Sequence, residues 1–149
     1  MDNGLLLALL AAVLIILPLA FYAGKLLYQL KEQTRRQQTA RQERIENITE
    51  SIQLIAKAVE QQQCNLSEGA IRLVRLLEGL PVSPALDCNN AYPALYELFT
   101  YVKDLPTHQE RKQLDRKVRE RQDAEREEHE VRLESKILVE VAKLKYFKV

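Results

Sequence analysis

The chain is poor in the residues from which catalytic and phosphate-binding sites are built. Its 149 residues include four glycines, two cysteines, two histidines and no tryptophan. The glycines stand far apart, at Gly4, Gly24, Gly69 and Gly79. They cannot form the glycine-rich loop that cradles a phosphate, which excludes a P-loop nucleotide hydrolase.

Thiol and metal chemistry also lack the residue patterns they need. No spacing or local signature pairs Cys64 or Cys88 with His108 or His129 as a nucleophile and its base. The acidic and histidine residues at 127–130 lack the HExxH spacing that puts two histidine ligands on one helix face. We therefore predict a protein with no catalytic residues, no metal ligands and no cofactor, and we do not expect an enzyme.

Signals for β-strands are missing as well. The sequence has no Asn-Gly hairpin turn and no sustained alternation of polar and apolar residues. Apolar residues recur instead at the three- and four-residue spacing of helices. We predict an all-α protein: an N-terminal transmembrane helix continuing into a long juxtamembrane helix, then two short helices and a long charged C-terminal helix, arranged as a helical hairpin or small bundle.

The chain does contain one long apolar run, over residues 5–23. About 19 such residues are enough to cross a bilayer as a helix. Basic residues follow at Lys25, Lys31, Arg35 and Arg36, and basic residues next to a span are retained on the cytoplasmic side. The pattern predicts a single-pass membrane protein with its N-terminus outside and the rest of the chain in the cytoplasm.

A cleaved secretory signal is the alternative explanation for this run. A signal peptide needs a positively charged start, an apolar stretch of about 7–15 residues and small residues before the cut. Only the terminal amine and Asp2 precede the run, and Phe21 stands where a cut after Ala23 requires a small residue. The span is favoured, and it predicts reduced thiols at Cys64 and Cys88, whereas secretion would permit a disulfide.

Composition divides the chain into a transmembrane anchor (1–24), a basic, glutamine-rich juxtamembrane helix (25–44) and a cytoplasmic helical domain (45–149). The middle part has six basic and two acidic residues, and residues 29–43 within it have almost no apolar face, so a helix there is solvated on most sides. Its basic residues, and a basic aromatic tail, are candidates for contact with anionic headgroups. The tail residues are Lys143, Lys145, Tyr146 and Phe147, for which a frayed terminus is the alternative.

An isoleucine-rich seam opens the helical domain. Its members recur at spacings of three and four residues, which aligns them on one side of a helix: Ile45, Ile48, Ile52, Ile55 and Val59. The seam covers about two heptads, too few to specify a coiled coil. It is a candidate partner surface, and the spacing leaves open whether it packs within one chain or between two.

Turn residues separate the helices that follow. Ser67 or Asn65 is predicted to cap a second helix that ends near Gly79, and a third helix starts around Pro93 and ends at Pro106. Their expected core faces are Ala70, Leu73, Val74, Leu77 and Leu80, then Tyr92, Leu95, Leu98, Phe99, Val102 and Leu105.

A capping-box spacing between Thr107 and Glu110 predicts a final helix that runs almost to the C-terminus. Only Ala124 is apolar between 119 and 130, so charge pairs four residues apart must support the middle. Its length matches that of a helix over 25–63, and we expect the two to lie antiparallel. The hydrophobic core would then lie at the end of this helix pair that is farthest from the membrane, and it would include Val118. The C-terminal tail would return to the bilayer surface.

Three stretches of the chain resemble a gammaproteobacterial family of single-span inner-membrane proteins classified as a domain of unknown function. They are residues 50–73, 92–94 and 105–107, and the Gln-Cys-x-Leu-Ser-Glu-Gly run within the first is the most distinctive. The resemblance covers most of the chain beyond the apolar run. It implies a bacterial inner-membrane protein and brings no assigned activity or site residues.

These features predict a membrane-anchored interaction or scaffold protein whose partners are membrane lipid and either other proteins or a second copy of itself. The alternative is an accessory subunit of a larger membrane complex, held by its span, where Gly4, Ala8 and Ala12 permit close helix packing. Acidic residues interrupt and follow the basic stretch at 111–121, so nucleic acid is not an expected partner. No small-molecule substrate is expected.

Overall fold

The computed structural model describes residues 3–106 and 108–149. Of the described residues, 82% are helical and none lies in a strand, which confirms the predicted all-α fold. The helices are, in order, α1 (Asn3–Glu60), α2 (Leu66–Glu78), α3 (Cys88–Ala91), α4 (Pro93–Val102), α5 (His108–Gln113) and α6 (Arg116–Leu144).

The chain forms two compact units, one that ends at Gln42 and one that runs from Glu43 to Val149. Helix α1 contributes residues to both units. The second unit begins close to Ile45, where the sequence predicts the helical domain to start.

The first unit consists of the apolar and juxtamembrane parts of α1. Among the described residues, α1 is the one helix that is long and apolar enough to cross a membrane: an 18-residue stretch has a mean hydropathy of 2.9 and none of it is buried. Pro18 lies inside the helix. Further along, Glu32 accepts hydrogen bonds from Arg35 and Arg36 at 3.2 and 3.0 Å, which supports a turn that has no apolar face.

The core of the second unit gathers side chains from α1, α2, α4 and α6. Ile52 and Val59 of the isoleucine-rich seam are buried, and Ile48 and Ile55 pack against the same cluster. These four members of the seam therefore pack within one chain, and Ile45 at its start is partly exposed. Burying a large aliphatic side chain contributes about 1.5–3 kcal/mol, and the largest fully buried ones here are Ile52, Leu73, Leu77, Leu95, Leu98, Leu133, Ile137 and Leu144.

Helix α2 begins and ends where the sequence predicts. The Asn65 side chain accepts a hydrogen bond from the backbone N–H of Ser67 at 3.1 Å, and Gly79 follows the last helical residue. Near its start, α2 packs closely against the end of α1. A Cβ atom added at Gly69 would overlap the Cγ2 atom of Val59, so only glycine fits there without movement of its neighbours.

Helix α4 is also confirmed, with Leu95, Leu98, Phe99 and Val102 buried. The short helix α3, which precedes α4, was not predicted. The sequence pattern of residues 81–90 indicates only a linker. Asp87 caps α3 by accepting hydrogen bonds from the backbone and side-chain nitrogens of Asn90, at 3.2 and 2.6 Å.

The prediction of one unbroken final helix is wrong. The chain leaves helical geometry at Leu114 and Asp115, where Asp115 has φ −60° and ψ 146°, so α5 and α6 are separate helices. Residues twelve apart in a continuous helix lie about 18 Å apart along its axis. The break instead lets Arg111 of α5 bind Asp123 of α6, with N–O distances of 2.6 and 2.8 Å. Thr107, half of the predicted capping box, lies outside the described residues.

The expected course of the final helix also differs. Its core residues are Leu133, Ile137, Val141 and Leu144 in the C-terminal half, whereas Val118 is 42% exposed. The prediction that Val118 joins the core rested on matching helix lengths. It did not take into account that the apolar residues of α6 are concentrated after residue 130. The tail that follows α6 turns against the part of α1 that contains Gln53 and Glu60.

Candidate functional site

The membrane-surface candidates fall into two groups. In the first unit Lys25, Lys31, Arg35 and Arg36 are exposed on α1. At the C-terminus Lys143 and Tyr146 are exposed, and the Tyr146 ring is within 5.5 Å of the Lys145 ammonium. Contact of these residues with headgroups stays a prediction.

Lys145 and Phe147 have partners within the second unit. The Lys145 ammonium donates to both carboxylate oxygens of Glu60, at 2.9 and 2.8 Å, and this hydrogen bond raises the pKa of Lys145. The Phe147 carbonyl accepts from the Gln53 side chain at 2.8 Å, and its side chain packs against the core. Headgroups would have to compete with these contacts.

A cleft in the second unit, here called the α2–α6 cleft, is bounded by α2, the end of α4, α5 and α6. Its volume is about 700 Å³. Its apolar lining residues, here called the floor, are Ile71, Val102, Leu105 and Pro106. Its charged lining residues, here called the rim, are Glu68, Arg72, Arg111, Asp123 and Arg126. A space with an apolar floor and a charged rim suits an amphipathic ligand.

Two stretches that carry the family resemblance meet at this cleft. Asn65, Ser67 and Glu68 come from the Gln-Cys-x-Leu-Ser-Glu-Gly run, and Leu105 and Pro106 come from the stretch at 105–107. About forty residues separate the two along the chain. The sequence singles out both stretches, but nothing in their spacing indicates that they share a surface.

Two of the three rim arginines are held in place by hydrogen-bonded ion pairs with rim carboxylates. Arg72 binds Glu68 one turn earlier on α2, and Arg111 binds Asp123 across the break between α5 and α6. The hydrogen bond from Arg111 holds the pKa of Asp123 below its ordinary value, and the positive charges of Arg111, Arg126 and Arg119 act in the same direction. The Ser67 hydroxyl donates to Glu130, which ties the start of α2 to α6.

Cys64 and Cys88 are both free thiols. Burial raises the pKa of each, and the negative charges of Glu68 and Glu78 raise the pKa of Cys64 and Cys88 respectively. Neither thiol therefore has the depressed pKa that activates a nucleophilic cysteine. The imidazole of His129 lies beside the Tyr101 ring, at a centroid distance of 4.1 Å.

No group of three or more His, Cys, Asp and Glu side chains converges on a possible metal position within residues 3–106 and 108–149. The α2–α6 cleft brings guanidinium groups, carboxylates and apolar side chains together, a combination that suits an amphipathic ligand. The cleft is accordingly the best candidate site in the described part of the chain.

Within the described residues, the fold is that of a small helical protein with one candidate membrane-spanning helix. The sequence pattern of the family described as "Protein of unknown function (DUF2489)" matches residues 16–144, and the chain belongs to that family. It is 39% identical, over 130 residues, to an uncharacterized protein of Haemophilus influenzae, an alignment that covers 87% of this chain and 86% of the relative. None of the solved structures gives a significant match.

Proposed function

We propose that this protein is a membrane-anchored helical interaction protein of the bacterial inner membrane, with no catalytic role of its own. The observation that carries the proposal is the contrast between the two units. The apolar stretch of α1 exposes all its side chains, while the second unit buries most of its large apolar residues in a core. A bilayer is the environment that removes such an exposed stretch from water.

In this proposal the N-terminus lies outside and the second unit lies in the cytoplasm. The basic residues that follow the apolar stretch favour this orientation. Lys25, Lys31, Arg35 and Arg36 would contact anionic headgroups, and the second unit would hold a protein partner.

The first experiment is fractionation of cells that express the full chain, beside a variant that lacks residues 5–23. We expect the full chain in the membrane fraction with an intact N-terminus by mass spectrometry, and the variant in the soluble fraction. Loss of the first residues from the mature chain would support a cleaved signal and overturn the proposal.

In-cell crosslinking with mass spectrometry then tests the interaction role. Beside the full chain we would use a variant whose residues 5–23 are replaced by an unrelated apolar span. If the second unit carries the interaction, the same partner proteins crosslink to both. If the partners disappear when the span is exchanged, the alternative of an accessory subunit held by its span is correct. A chain that crosslinks to nothing in either form would contradict both.

A further inference from the structure

Arg126 in the rim of the α2–α6 cleft differs from the other arginines there. Its side chain is 34% exposed, and its nearest anionic atoms belong to Asp123 at 3.7 Å and Glu130 at 3.9 Å. Both distances are longer than a hydrogen bond. Its Nε atom is buried and has no hydrogen-bond partner among the described residues. A guanidinium has five donors in a planar fork, so this one is poorly satisfied.

The two carboxylates closest to Arg126 already have better partners. Asp123 accepts two hydrogen bonds from Arg111, at 2.6 and 2.8 Å, and Glu130 accepts one from the Ser67 hydroxyl. Arg111 and Arg72 are likewise engaged, by Asp123 and Glu68. Among the cleft arginines in the described part of the chain, Arg126 is therefore the one without a hydrogen-bonded carboxylate.

Charge and shape together specify that ligand. Three arginines and two carboxylates line the cleft, so its rim is net positive and favours an anion. A guanidinium fork matches the geometry of a carboxylate, which it binds through two parallel hydrogen bonds. The floor of Ile71, Val102, Leu105 and Pro106 lies in the same cleft and offers an apolar surface.

We propose that the α2–α6 cleft binds an acidic peptide segment of a partner protein, with a glutamate or aspartate carboxylate on the Arg126 guanidinium and a neighbouring apolar side chain on the cleft floor. This inference rests on the proposed interaction function and names the chemistry of the partner. The peptide carboxylate supplies an acceptor to the exposed part of the Arg126 side chain, and the apolar residues of the cleft favour acidic segments that also carry apolar side chains.

The test uses the full chain in neutral detergent and a short fluorescein-labelled peptide of glutamates and leucines. Its counterpart with glutamine in place of glutamate is the control probe. We expect the acidic peptide to bind, as measured by fluorescence anisotropy, and the glutamine peptide to bind at least about tenfold more weakly. A hydrogen-bonded charge pair contributes enough for a difference of that size. Equal affinity for both peptides, or no binding of the acidic one, overturns the inference.

Matched variants assign the binding to Arg126. Arg126→Gln removes the guanidinium, and Arg121→Gln removes an exposed arginine of the same helix that pairs with Glu125. We expect Arg126→Gln to weaken the acidic peptide about tenfold or more, Arg126→Lys to weaken it less, and Arg121→Gln to leave it unchanged. Equal effects of Arg126→Gln and Arg121→Gln would refute the assignment. Thermal unfolding of each variant checks that the fold is kept.

Vesicles with anionic phospholipids form a further arm, measured by co-sedimentation. If Arg126→Gln abolishes vesicle binding while the peptide does not bind, the cleft recognises lipid and the inference is wrong. Its failure is distinguishable from failure of the proposed function. If partner crosslinks survive the span exchange but the peptide does not bind, only the inference about the cleft is wrong. If the crosslinks are lost, the proposed interaction role of the second unit is wrong.

Discussion

The carboxylate of Glu140 accepts hydrogen bonds from the backbone N–H groups of Ala94 and Leu95, at 3.0 and 2.8 Å. These groups belong to the first turn of α4, where backbone donors have no partner within the helix. Glu140 lies on α6, is only 8% exposed, and so caps α4 from another helix. The negative charge also suits the positive end of the α4 dipole. This contact fixes α4 on α6 with a polar group inside the core.

Removing this cap should destabilise the second unit. We expect Glu140→Ala to lower the free energy of unfolding by about 1.5–3 kcal/mol, because two buried backbone donors lose a charged acceptor. Glu140→Gln keeps one carbonyl oxygen and should cost less. Chemical denaturation measures both, with the exposed Glu134→Gln as the control that stays within about 0.5 kcal/mol of wild type. A cost for Glu140→Ala no greater than for this control would contradict the capping role.

The close approach of α1 and α2 predicts a cost at Gly69. Gly69→Ala should destabilise by about 1–3 kcal/mol, because its methyl group overlaps Val59. In a Val59→Ala background the overlap is relieved, so the same change should cost much less. The double-mutant cycle is measured by denaturation. Identical costs of Gly69→Ala in the two backgrounds would show that the overlap is not the cause.

The burial of the seam predicts that it stabilises one chain rather than a pair. Ile52→Ala should cost about 2–5 kcal/mol, because Ile52 is fully buried, whereas Leu54→Ala should cost little, since Leu54 is 70% exposed. The stability should not change with protein concentration. A midpoint that rises with concentration, and loses that dependence in Ile52→Ala, would indicate a seam between chains.

The Arg111–Asp123 pair predicts a specific acid sensitivity. Because the folded-state pKa of Asp123 is below its ordinary value of 3.8, the contribution of the pair is complete above that pH and is lost as the pH falls through the lower folded-state pKa. Wild type should be more stable than Asp123→Asn near neutrality, and the difference should shrink below about pH 4. Thermal unfolding across this range measures it. A difference that stays constant down to pH 2 would argue against the pair.

The two thiols should react unequally in the folded chain. Cys64 is partly exposed and Cys88 is buried, so an alkylating reagent should modify Cys64 first and Cys88 only on unfolding. Both should be free in protein isolated under non-reducing conditions, as the proposed cytoplasmic placement requires. Mass spectrometry of alkylated peptides gives both results. A Cys64–Cys88 disulfide in the isolated protein would favour an extracytoplasmic location instead.

Local sequence signals located the main helices because the relevant interactions are local. Asn65 caps α2, Gly79 follows it, and Pro93 begins α4, each through contacts within a few residues. The break at Asp115 was not predicted, because the ion pair that stabilises it joins residues twelve positions apart. Arg111 and Asp123 pair only after the chain has bent, and no periodicity in the sequence shows that contact.

The candidate site was the least predictable feature. Its floor combines residues of α2 and the end of α4, and its rim adds α5 and α6. Sequence reasoning included the stretches at 63–69 and 105–107 among those that carry the family resemblance, but their meeting depends on how α2 and α4 pack. The cap by Glu140 is similar, since a glutamate among other charged residues of α6 carries no sign that it is buried.

The sequence by itself determined the helical class and the apolar stretch of α1, because composition and periodicity act over short distances. Similarity of its motifs to those of relatives, and not periodicity, indicated the family. Only the tertiary structure decided that the isoleucine-rich seam packs within one chain, that Glu140 caps α4, and that Arg126 lies beside an apolar floor. These relationships depend on packing between helices distant in sequence. Core burial and buried hydrogen bonds select that packing only once the chain is compact.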